Sequence, residues 1–404
     1  MKKYRTCSYC GDSGNHLGFM LEHPETQKII CEICAYQMVE VLDMLYQGES
    51  KDMSDLCGVL NKPKSIKGKL DDYVIGQDEA KKVLAVAAYN HYKRILNNGF
   101  SNGVELQKSN VLLIGQTGSG KTLLAQSLAK IMKVPFAISD ATSLTEAGYV
   151  GDDVENCLLR LIENAEGDIE RAQRGIIFID EIDKVAKKGE NISITRDVSG
   201  EGVQQALLKI IEGADVSVPM GGGRKHPGMN NPIINTSNIL FIFSGAFVGL
   251  ENIIKKRSQE KGIGFGAKIE KQNKESLDES LKKVTAQDLI KFGLIPEFIG
   301  RIPIIVATES LKESDLVRIL TEPKNAIIKQ YVELLQMDKI QLTFDEDALN
   351  EIAHIAIKRE MGARGLRSIA EKIMIDIMFD ISDEISTCQI TKELILKKFK
   401  KKIG

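Results

Sequence analysis

The chain has 404 residues, enough for about three domains, and 43% of them are hydrophobic, enough for sizeable cores. Its formal net charge is only −2, so no overall positive field points to a nucleic-acid partner. No apolar run reaches transmembrane length, and the opening MKKYRTCSYC lacks the apolar stretch of a secretory signal. We therefore expect a soluble, cytoplasmic protein with no membrane partner.

Four cysteines near the beginning of the chain form two C-x-x-C pairs, Cys7 with Cys10 and Cys31 with Cys34. Two such pairs in a reducing compartment are typical of a zinc site. Four thiolates complete a tetrahedral ion and leave no open position, so the predicted role of the zinc is structural. The alternative, a redox pair, lacks the strand–helix context that such a motif needs.

The composition changes along the chain predict four segments. Residues 1–48 are the zinc module, and residues 49–68 form a polar linker rich in Gly, Lys and Ser. Residues 69–307 form a large domain, and residues 308–404 form a smaller, mostly helical domain. The last stretch, LKKFKKKIG, is a basic tail that we expect to be a solvated end.

The large domain begins with a helical pattern and then alternates strands and helices. Its strand candidates are NVLLIG, VPFAIS, GIIFID and NILFIFSG. Continuous apolar runs are typical of strands buried on both faces of a parallel sheet. The predicted fold class is therefore α/β, a parallel sheet flanked by helices. In the small domain, IQLTF is the one strand candidate.

The stretch GQTGSGKT fits the phosphate-binding pattern G-x-x-x-x-G-K-[ST] and lies between a predicted strand and a helix. Backbone N–H groups of such a loop surround phosphates, Lys121 reaches the β- and γ-phosphates, and the Thr122 hydroxyl ligates Mg²⁺. The candidate ATP-binding residues are Gly115, Gln116, Thr117, Gly118, Ser119, Gly120, Lys121 and Thr122.

The stretch IIFIDEID supplies the acids that such a site needs. Asp180 ends an apolar strand, where its carboxylate can hold Mg²⁺ through water, and Glu181 can polarise the attacking water. Asp183, further along, is expected to be structural. ATP and Mg²⁺ are thus the predicted cofactors beside Zn²⁺, and ATP hydrolysis is the predicted reaction.

These motifs, together with the four cysteines, resemble those of the ClpX family, the AAA+ ATP-binding subunits of the Clp protease. The resemblance runs from Cys7 to about residue 380. It implies a P-loop AAA+ core, a homohexameric ring and ATP bound between subunits. The implied function is the unfolding and threading of protein substrates into a separate ClpP-like peptidase, together with chaperone activity.

The resemblance also assigns roles around the nucleotide. In PEFIGRIP it makes Arg301 an arginine finger for the neighbouring subunit, and in GARGLR it makes Arg364 a sensor-2 residue. Val74 and Ile75 of YVIGQ would pack on adenine, and Ser244 is a sensor-1 candidate. From the residues alone, a surface ion pair would be preferred for Arg301, and Val74 and Ile75 would be ordinary core.

Tyr149 and Val150, between two glycines in EAGYVGDDVE, match the loop that in the family projects into the central channel. Apolar contacts are not directional, so this pair would grip many different polypeptides. Burial of the loop tip in its own core is an equally weighted alternative. The stretch ENISITRDVSGEGV resembles the second pore loop, with Arg196 near its tip.

Two further loops resemble the family's contact segments. Arg224, Lys225 and His226 in GGGRKHPG match a basic loop at the channel entrance, which would attract acidic groups such as a substrate's C-terminal carboxylate. A mobile basic surface loop is the alternative. The tripeptide Ile263-Gly264-Phe265 resembles the one that docks into apolar clefts of ClpP, and packing back on the ATPase domain is its alternative.

Other functions remain open at this point. An HslU-like protease ATPase is disfavoured because that relative lacks a zinc module. A nucleic-acid-remodelling AAA+ ATPase is disfavoured by the near-neutral charge and the apolar loop tip. The interior of the zinc module, GDSGNHLGFMLEHPETQKII, differs from the family beyond its four ligands, so the sequence does not identify adaptors, substrates or tags.

Overall fold

The computed structural model describes residues 6–11, 19–22, 26, 28–38, 61–97, 100–101, 103–145, 152–187, 200–219, 231–260, 276–359, 361–380 and 386–400. The chain divides into two units, Met1–Val59 and Leu60–Gly404. In the described segments, every helix is too short or too polar to span a bilayer. The predicted pore, entrance and docking residues lie outside these segments: Tyr149, Val150, Arg196, Arg224, Lys225, His226, Ile263, Gly264 and Phe265.

The first unit contains an antiparallel strand pair, β1 (Met20–Glu22) and β2 (Ile29–Cys31). The segment before β1 joins this pair through Ser8, whose N–H donates to the Ile29 carbonyl at 2.7 Å. Among the described residues of this unit, the buried side chains are those of three cysteines, with two partly buried apolar residues packed against them. So small a core is expected to need a metal or a crosslink for stability.

The second unit is built on a five-stranded parallel sheet. Nearly all residues of the central strands are buried, as their continuous apolar runs predicted. The predicted α/β class with a parallel sheet is therefore confirmed. Across the sheet, the strands follow the order β13 (Ile304–Ala307), β5 (Val111–Ile114), β12 (Leu240–Gly245), β9 (Ile176–Asp180) and β6 (Phe136–Asp140).

Helices and short strand pairs surround this sheet. The short pairs are β3 (Phe100–Ser101) with β4 (Val104–Glu105), β7 (Leu144–Thr145) with β8 (Asp152–Asp153), and β10 (Asp215–Ser217) with β11 (Ile233–Asn235). The helices are Pro63–Asp71, Asp78–Leu96, Lys121–Met132, Asn156–Asn164, Ile169–Ala172, Glu201–Ile211, Leu250–Glu260, Leu277–Lys282, Ala286–Phe292 and Pro296–Gly300, with 3-10 turns at Ala141–Ser143 and Ile182–Val185.

The small C-terminal domain is mostly helical, as predicted, and has its own core. Its strand β14 (Gln341–Phe344) matches the predicted IQLTF and pairs in parallel with β15 (Thr387–Ile390). The sequence analysis did not identify β15, because an alternation of polar and apolar residues over only four positions is too short to be distinctive. The helices are Glu313–Thr321, Ile327–Met337, Glu346–Lys358, Gly362–Phe379 and Lys392–Lys400.

The helix Pro63–Asp71 begins inside the stretch predicted as linker 49–68, so that prediction extends too far. Proline suits the first turn of a helix, where its missing N–H is not needed. Ile66 and Leu70 are both fully buried. Two apolar residues among many lysines were too weak a pattern to reveal this helix.

The basic tail is also corrected, because residues 392–400 form a helix and not a solvated end. Ile395 is fully buried, and Lys398 donates to the Ile373 carbonyl at 2.7 Å. The Arg359 guanidinium lies 5.1 Å from the centre of the Phe399 ring. The lysines of this segment therefore flank an apolar face of the helix. Because lysines are so numerous here, that face was not evident from the sequence.

Candidate nucleotide-binding and metal sites

The carboxyl edge of the parallel sheet brings together residues from three separate motifs. The phosphate-binding loop follows β5, Asp180 ends β9, and Ser244 lies near the end of β12. Because β12 runs between β5 and β9, Ser244 stands between the loop and the acid. This edge is where open α/β sheets bind their ligands.

Lys121 opens the helix Lys121–Met132, and Gly120 precedes it in a left-handed conformation with φ 94°. The Lys121 Nζ donates to the carbonyls of Gly115 (2.6 Å) and Gln116 (2.9 Å), so the loop closes around the ammonium group. Burial lowers the pKa of Lys121, while the charges of Asp180 and Asp183 act in the opposite direction. The cation and the N-terminus of the helix together favour a bound anion.

Asp180 is held by hydrogen bonds from its neighbours. The Ser244 hydroxyl donates to Asp180 Oδ1, which also accepts the Glu181 backbone N–H at 3.0 Å. The Thr122 hydroxyl lies 3.4 Å from the other oxygen, Oδ2. Thr122 and Asp180 thus present two oxygen ligands of the kind that Mg²⁺ prefers.

Glu181 is exposed beside Asp180 and has a left-handed backbone, with φ 56°. This conformation costs about 1–2 kcal/mol for a residue with a Cβ atom, so it marks a strained position at the sheet edge. Asp183 differs, because it is buried and accepts the N–H groups of Ala246 (3.2 Å) and Phe247 (3.3 Å). Those contacts agree with the structural role expected for Asp183.

The small domain approaches the phosphate-binding loop at Gly118. A Cβ atom on Gly118 would lie 3.2 Å from the Met361 carbonyl oxygen and 3.3 Å from the Gly362 Cα. The helix that begins at Gly362 carries Arg364, whose charge adds to the effect of burial in lowering the pKa of Lys121. Arg364 therefore belongs to the surroundings of the loop.

A cavity of about 390 Å³ lies between the large domain and the small domain. Val74 and Ile75 line it and are nearly buried. Across from them the small domain contributes Arg318 and Glu322, which the sequence did not single out. Neither Arg318 nor Glu322 lies in a recognisable sequence motif, so only the fold shows that they line this cavity.

A second cavity of about 390 Å³ lies between the loop and the small domain, and its wall includes Thr117, Ser119 and Ser310. A larger one of about 710 Å³ is lined by Glu212 and Asp215 among others. No residue of the phosphate-binding loop lines this larger cavity, so it lies apart from the candidate nucleotide site.

Arg301 lies at the amino edge of the sheet, away from the phosphate-binding loop. Its carbonyl accepts a 2.9 Å hydrogen bond from Asn110, the residue just before β5, whereas the loop follows the far end of that strand. Its side chain is 57% exposed and pairs with Glu212 at 2.9 Å. The structure thus keeps Arg301 apart from Lys121 and Asp180 in one copy.

The four cysteines of the first unit form one cluster, with all sulfur atoms within 4.8 Å of one another. The distance between the Cys10 and Cys31 sulfurs is 3.9 Å, close to the roughly 3.8 Å expected between thiolates of a tetrahedral zinc site. Backbone N–H groups, foremost those of Cys10 and Cys31, lower the pKa of Cys7 to about 6. Burial raises the pKa of Cys34 to about 12. The cluster is compatible with zinc.

The sheet order and the grouping of the phosphate-binding loop, Asp180 and Ser244 at one edge define an ATPase of the AAA+ class. Residues 106–305 match the family described as AAA domain (Cdc48 subfamily). Residues 311–394 match the C-terminal, D2-small domain, of ClpB protein.

Two curated relatives extend over most of the chain. The ATP-dependent Clp protease ATP-binding subunit ClpX of Treponema denticola is 55% identical over 392 residues, which cover 97% of this chain and 92% of the relative. The protein of the same name from Borrelia duttonii is 59% identical over 337 residues, 83% of this chain and 78% of the relative. The chain belongs to the ClpX family of AAA+ ATP-dependent unfoldases.

Proposed function

We propose that the protein works in the cytoplasm as a homohexameric ring that unfolds protein substrates and threads them into a ClpP-like peptidase. The position of Arg301 carries the proposal of a ring. Five residue steps of extended chain separate Asn110, its backbone partner, from Gly115, a distance of about 16 Å. An arginine side chain does not bridge that distance, which supports a role for Arg301 at the nucleotide of another copy.

In the proposed mechanism each protomer binds the ATP phosphates with backbone N–H groups of the loop and with Lys121. Thr122 and Asp180 would hold Mg²⁺, which supplies positive charge to the β- and γ-phosphate oxygens. Glu181 takes the proton of the attacking water. The Ser244 hydroxyl donates to Asp180 and thereby orients the carboxylate that would hold Mg²⁺.

Two arginines complete the proposed site. Arg301 of a neighbouring protomer stabilises the charge that spreads over the transferred phosphoryl group, because its guanidinium stays charged and is a fixed fork of donors. Arg364 ties the small domain to the same phosphates. Val74 and Ile75 contact the base from the large domain.

The family resemblance supports the roles that we propose for the loops outside the described residues. We propose that Tyr149 and Val150 grip the polypeptide and that Arg196 lies in a second pore loop. Arg224, Lys225 and His226 would attract the acidic end of a substrate. Ile263, Gly264 and Phe265 would dock the ring on its peptidase.

We expect the Tyr149→Ala ring to hydrolyse ATP at a rate within about threefold of wild type but to unfold a tagged fluorescent protein at least about tenfold more slowly, because the apolar grip is lost. The measurement is loss of fluorescence with ATP, followed by loss of the polypeptide when a ClpP-like peptidase is added. Tyr149→Phe is the matched control and should restore unfolding. An unchanged unfolding rate in Tyr149→Ala, or ATPase stimulation by DNA and not by unfolded protein, would contradict the proposed function.

We further propose that Cys7, Cys10, Cys31 and Cys34 bind one structural Zn²⁺. Cys10→Ser should lower the zinc content from one per chain towards zero and unfold the first unit. Metal binding and folding are coupled in so small a core, and zinc binding typically contributes about 10–16 kcal/mol to the folding of such modules. Zinc is measured by mass spectrometry of the metal and folding by amide NMR. The control Cys388→Ser, outside the cluster, should keep one zinc per chain; equal zinc loss in both variants would contradict the assignment.

A further inference from the structure

The Gln77 side chain lies at a buried junction between the phosphate-binding loop and the connection that leads into the small domain. Its side chain is 3% exposed. Its Nε2 donates to the carbonyls of Ser119 (3.2 Å) and Glu309 (2.7 Å), and its Oε1 accepts the Glu309 N–H at 2.8 Å. One amide group therefore bonds the backbone of the loop and the backbone of the connection at the same time.

The backbone at Gln77 is itself unusual. Its φ is 58° and its ψ is 35°, a left-handed conformation that residues with a Cβ atom rarely adopt. Gly76 before it has φ 65°, so the chain turns sharply between the base-side segment and the helix Asp78–Leu96. A glycine at position 77 would adopt this conformation without strain. The contribution of glutamine at this position therefore comes from its side chain.

A second contact joins the loop to the same connection. The Ser119 hydroxyl lies 2.8 Å from the Thr308 hydroxyl, and the Thr308 N–H donates to the Ile114 carbonyl at 2.7 Å. A Cβ atom on Gly115 would lie only 1.9 Å from Thr308 Oγ1. The loop and residue 308 are therefore packed without room for independent displacement.

The rest of the connection is anchored just as closely. Glu309 pairs with Lys282, and Ser310 donates through its N–H (3.0 Å) and hydroxyl (2.7 Å) to Asp278. The helix Glu313–Thr321 starts three residues later and carries Arg318, which lines the base-side cavity. A shift of residues 308–310 would therefore move one wall of that cavity.

We propose that Gln77 is a positioning residue that transmits the state of the phosphate-binding loop to the domain connection, residues 308–310. The inference rests on the proposed ATP-driven function. The Ser119 carbonyl and the Gly120 N–H belong to one planar peptide group, so turning the N–H towards a phosphate also turns the carbonyl that Gln77 holds. Phosphate binding and the Gln77 contact are thereby linked through a single rigid unit.

The test variant is Gln77→Glu, which keeps the shape and the acceptor for the Glu309 N–H but replaces the donor to the Ser119 and Glu309 carbonyls with an oxygen. In wild type we expect amide hydrogen exchange of residues 308–310 to differ with and without ATPγS. In the variant that difference should disappear, while the KM for ATP changes less than about threefold and protein-stimulated ATPase falls about tenfold.

Gln204→Glu is the matched control. Gln204 is also fully buried, and its amide donates to the Val185 (2.8 Å) and Gly293 (3.3 Å) carbonyls and accepts the Ile295 N–H at 2.8 Å. This control should lower Tm by a similar amount and keep the nucleotide-dependent exchange at residues 308–310. If Gln77→Glu does not fold, Gln77→Gly removes the amide side chain while relieving the left-handed backbone, and it should abolish the same difference.

Three outcomes overturn the inference: no exchange difference in wild type, an undiminished difference in Gln77→Glu, or equal loss in Gln204→Glu. The exchange measurement needs only binding of ATPγS, so it is separate from unfolding. A wild-type protein that fails to unfold the tagged substrate, while Gln77→Glu still abolishes the exchange difference, would overturn the proposed function and leave the role of Gln77 standing.

Discussion

Replacing Glu181 with glutamine should lower kcat for ATP hydrolysis by at least about 100-fold, the usual contribution of a general base, and leave ATP binding intact. The amide keeps the size of the side chain but does not take a proton from water. The proposed phosphate contacts come from the loop and from Lys121, and the substitution changes neither of them. Binding of a fluorescent ATP analogue and steady-state phosphate release are the two measurements.

Glu163→Gln is the matched control for that experiment, since Glu163 is an exposed glutamate on the helix Asn156–Asn164. Its kcat should equal that of wild type. Turnover at the wild-type rate in Glu181→Gln would remove Glu181 from the chemistry. Loss of nucleotide binding in Glu181→Gln would instead indicate a structural role for Glu181, in keeping with its left-handed backbone conformation.

Replacing Arg301 with alanine should lower kcat by at least about 1,000-fold, because an arginine finger contributes 10³ to 10⁵ in comparable ATPases and GTPases. The folded protomer should be little affected. Arg301 and Glu212 are both about half exposed, and such ion pairs contribute only about 0–1 kcal/mol to stability. Tm and phosphate release are the measurements.

A mixture of the Arg301→Ala and Lys121→Ala variants tests whether Arg301 acts on the nucleotide of a neighbouring subunit. Neither variant should hydrolyse ATP alone. In mixed rings, an intact loop on the first variant can lie beside an intact arginine on the second, so part of the turnover should return. Glu212→Gln breaks the same ion pair without removing the guanidinium and should keep turnover. No recovery in the mixture would show that Arg301 acts within its own protomer or only on folding.

The local patterns of the sequence were sufficient for the nucleotide-binding loop, the acidic strand end and the parallel sheet. A glycine-rich loop between a buried strand and a helix is a continuous stretch whose geometry depends on neighbouring residues, from Gly115 to Thr122. The two cysteine pairs are equally local, and the structure brings their sulfurs into one cluster. These features required no knowledge of distant contacts.

Short elements with few apolar residues were not evident from the sequence. The helix Pro63–Asp71 was hidden in a lysine-rich stretch, and the helix Lys392–Lys400 was taken for a solvated tail. In both cases one or two buried side chains decide the structure, Ile66 and Leu70 in the first and Ile395 in the second. Such sparse contacts stabilise a helix only through the surface that receives them.

By itself, the sequence determined the reaction and the class of fold, because catalytic motifs and hydrophobic periodicity are properties of neighbouring residues. Only the tertiary structure decided which distant groups meet. It placed Gln77 against Ser119 and Glu309, 42 and 232 residues away, and it placed Arg301 at the opposite sheet edge from its own loop. The physical reason is that strand order, and not chain order, sets these distances: β13 lies beside β5, so residues at the end of the large domain border its first strand.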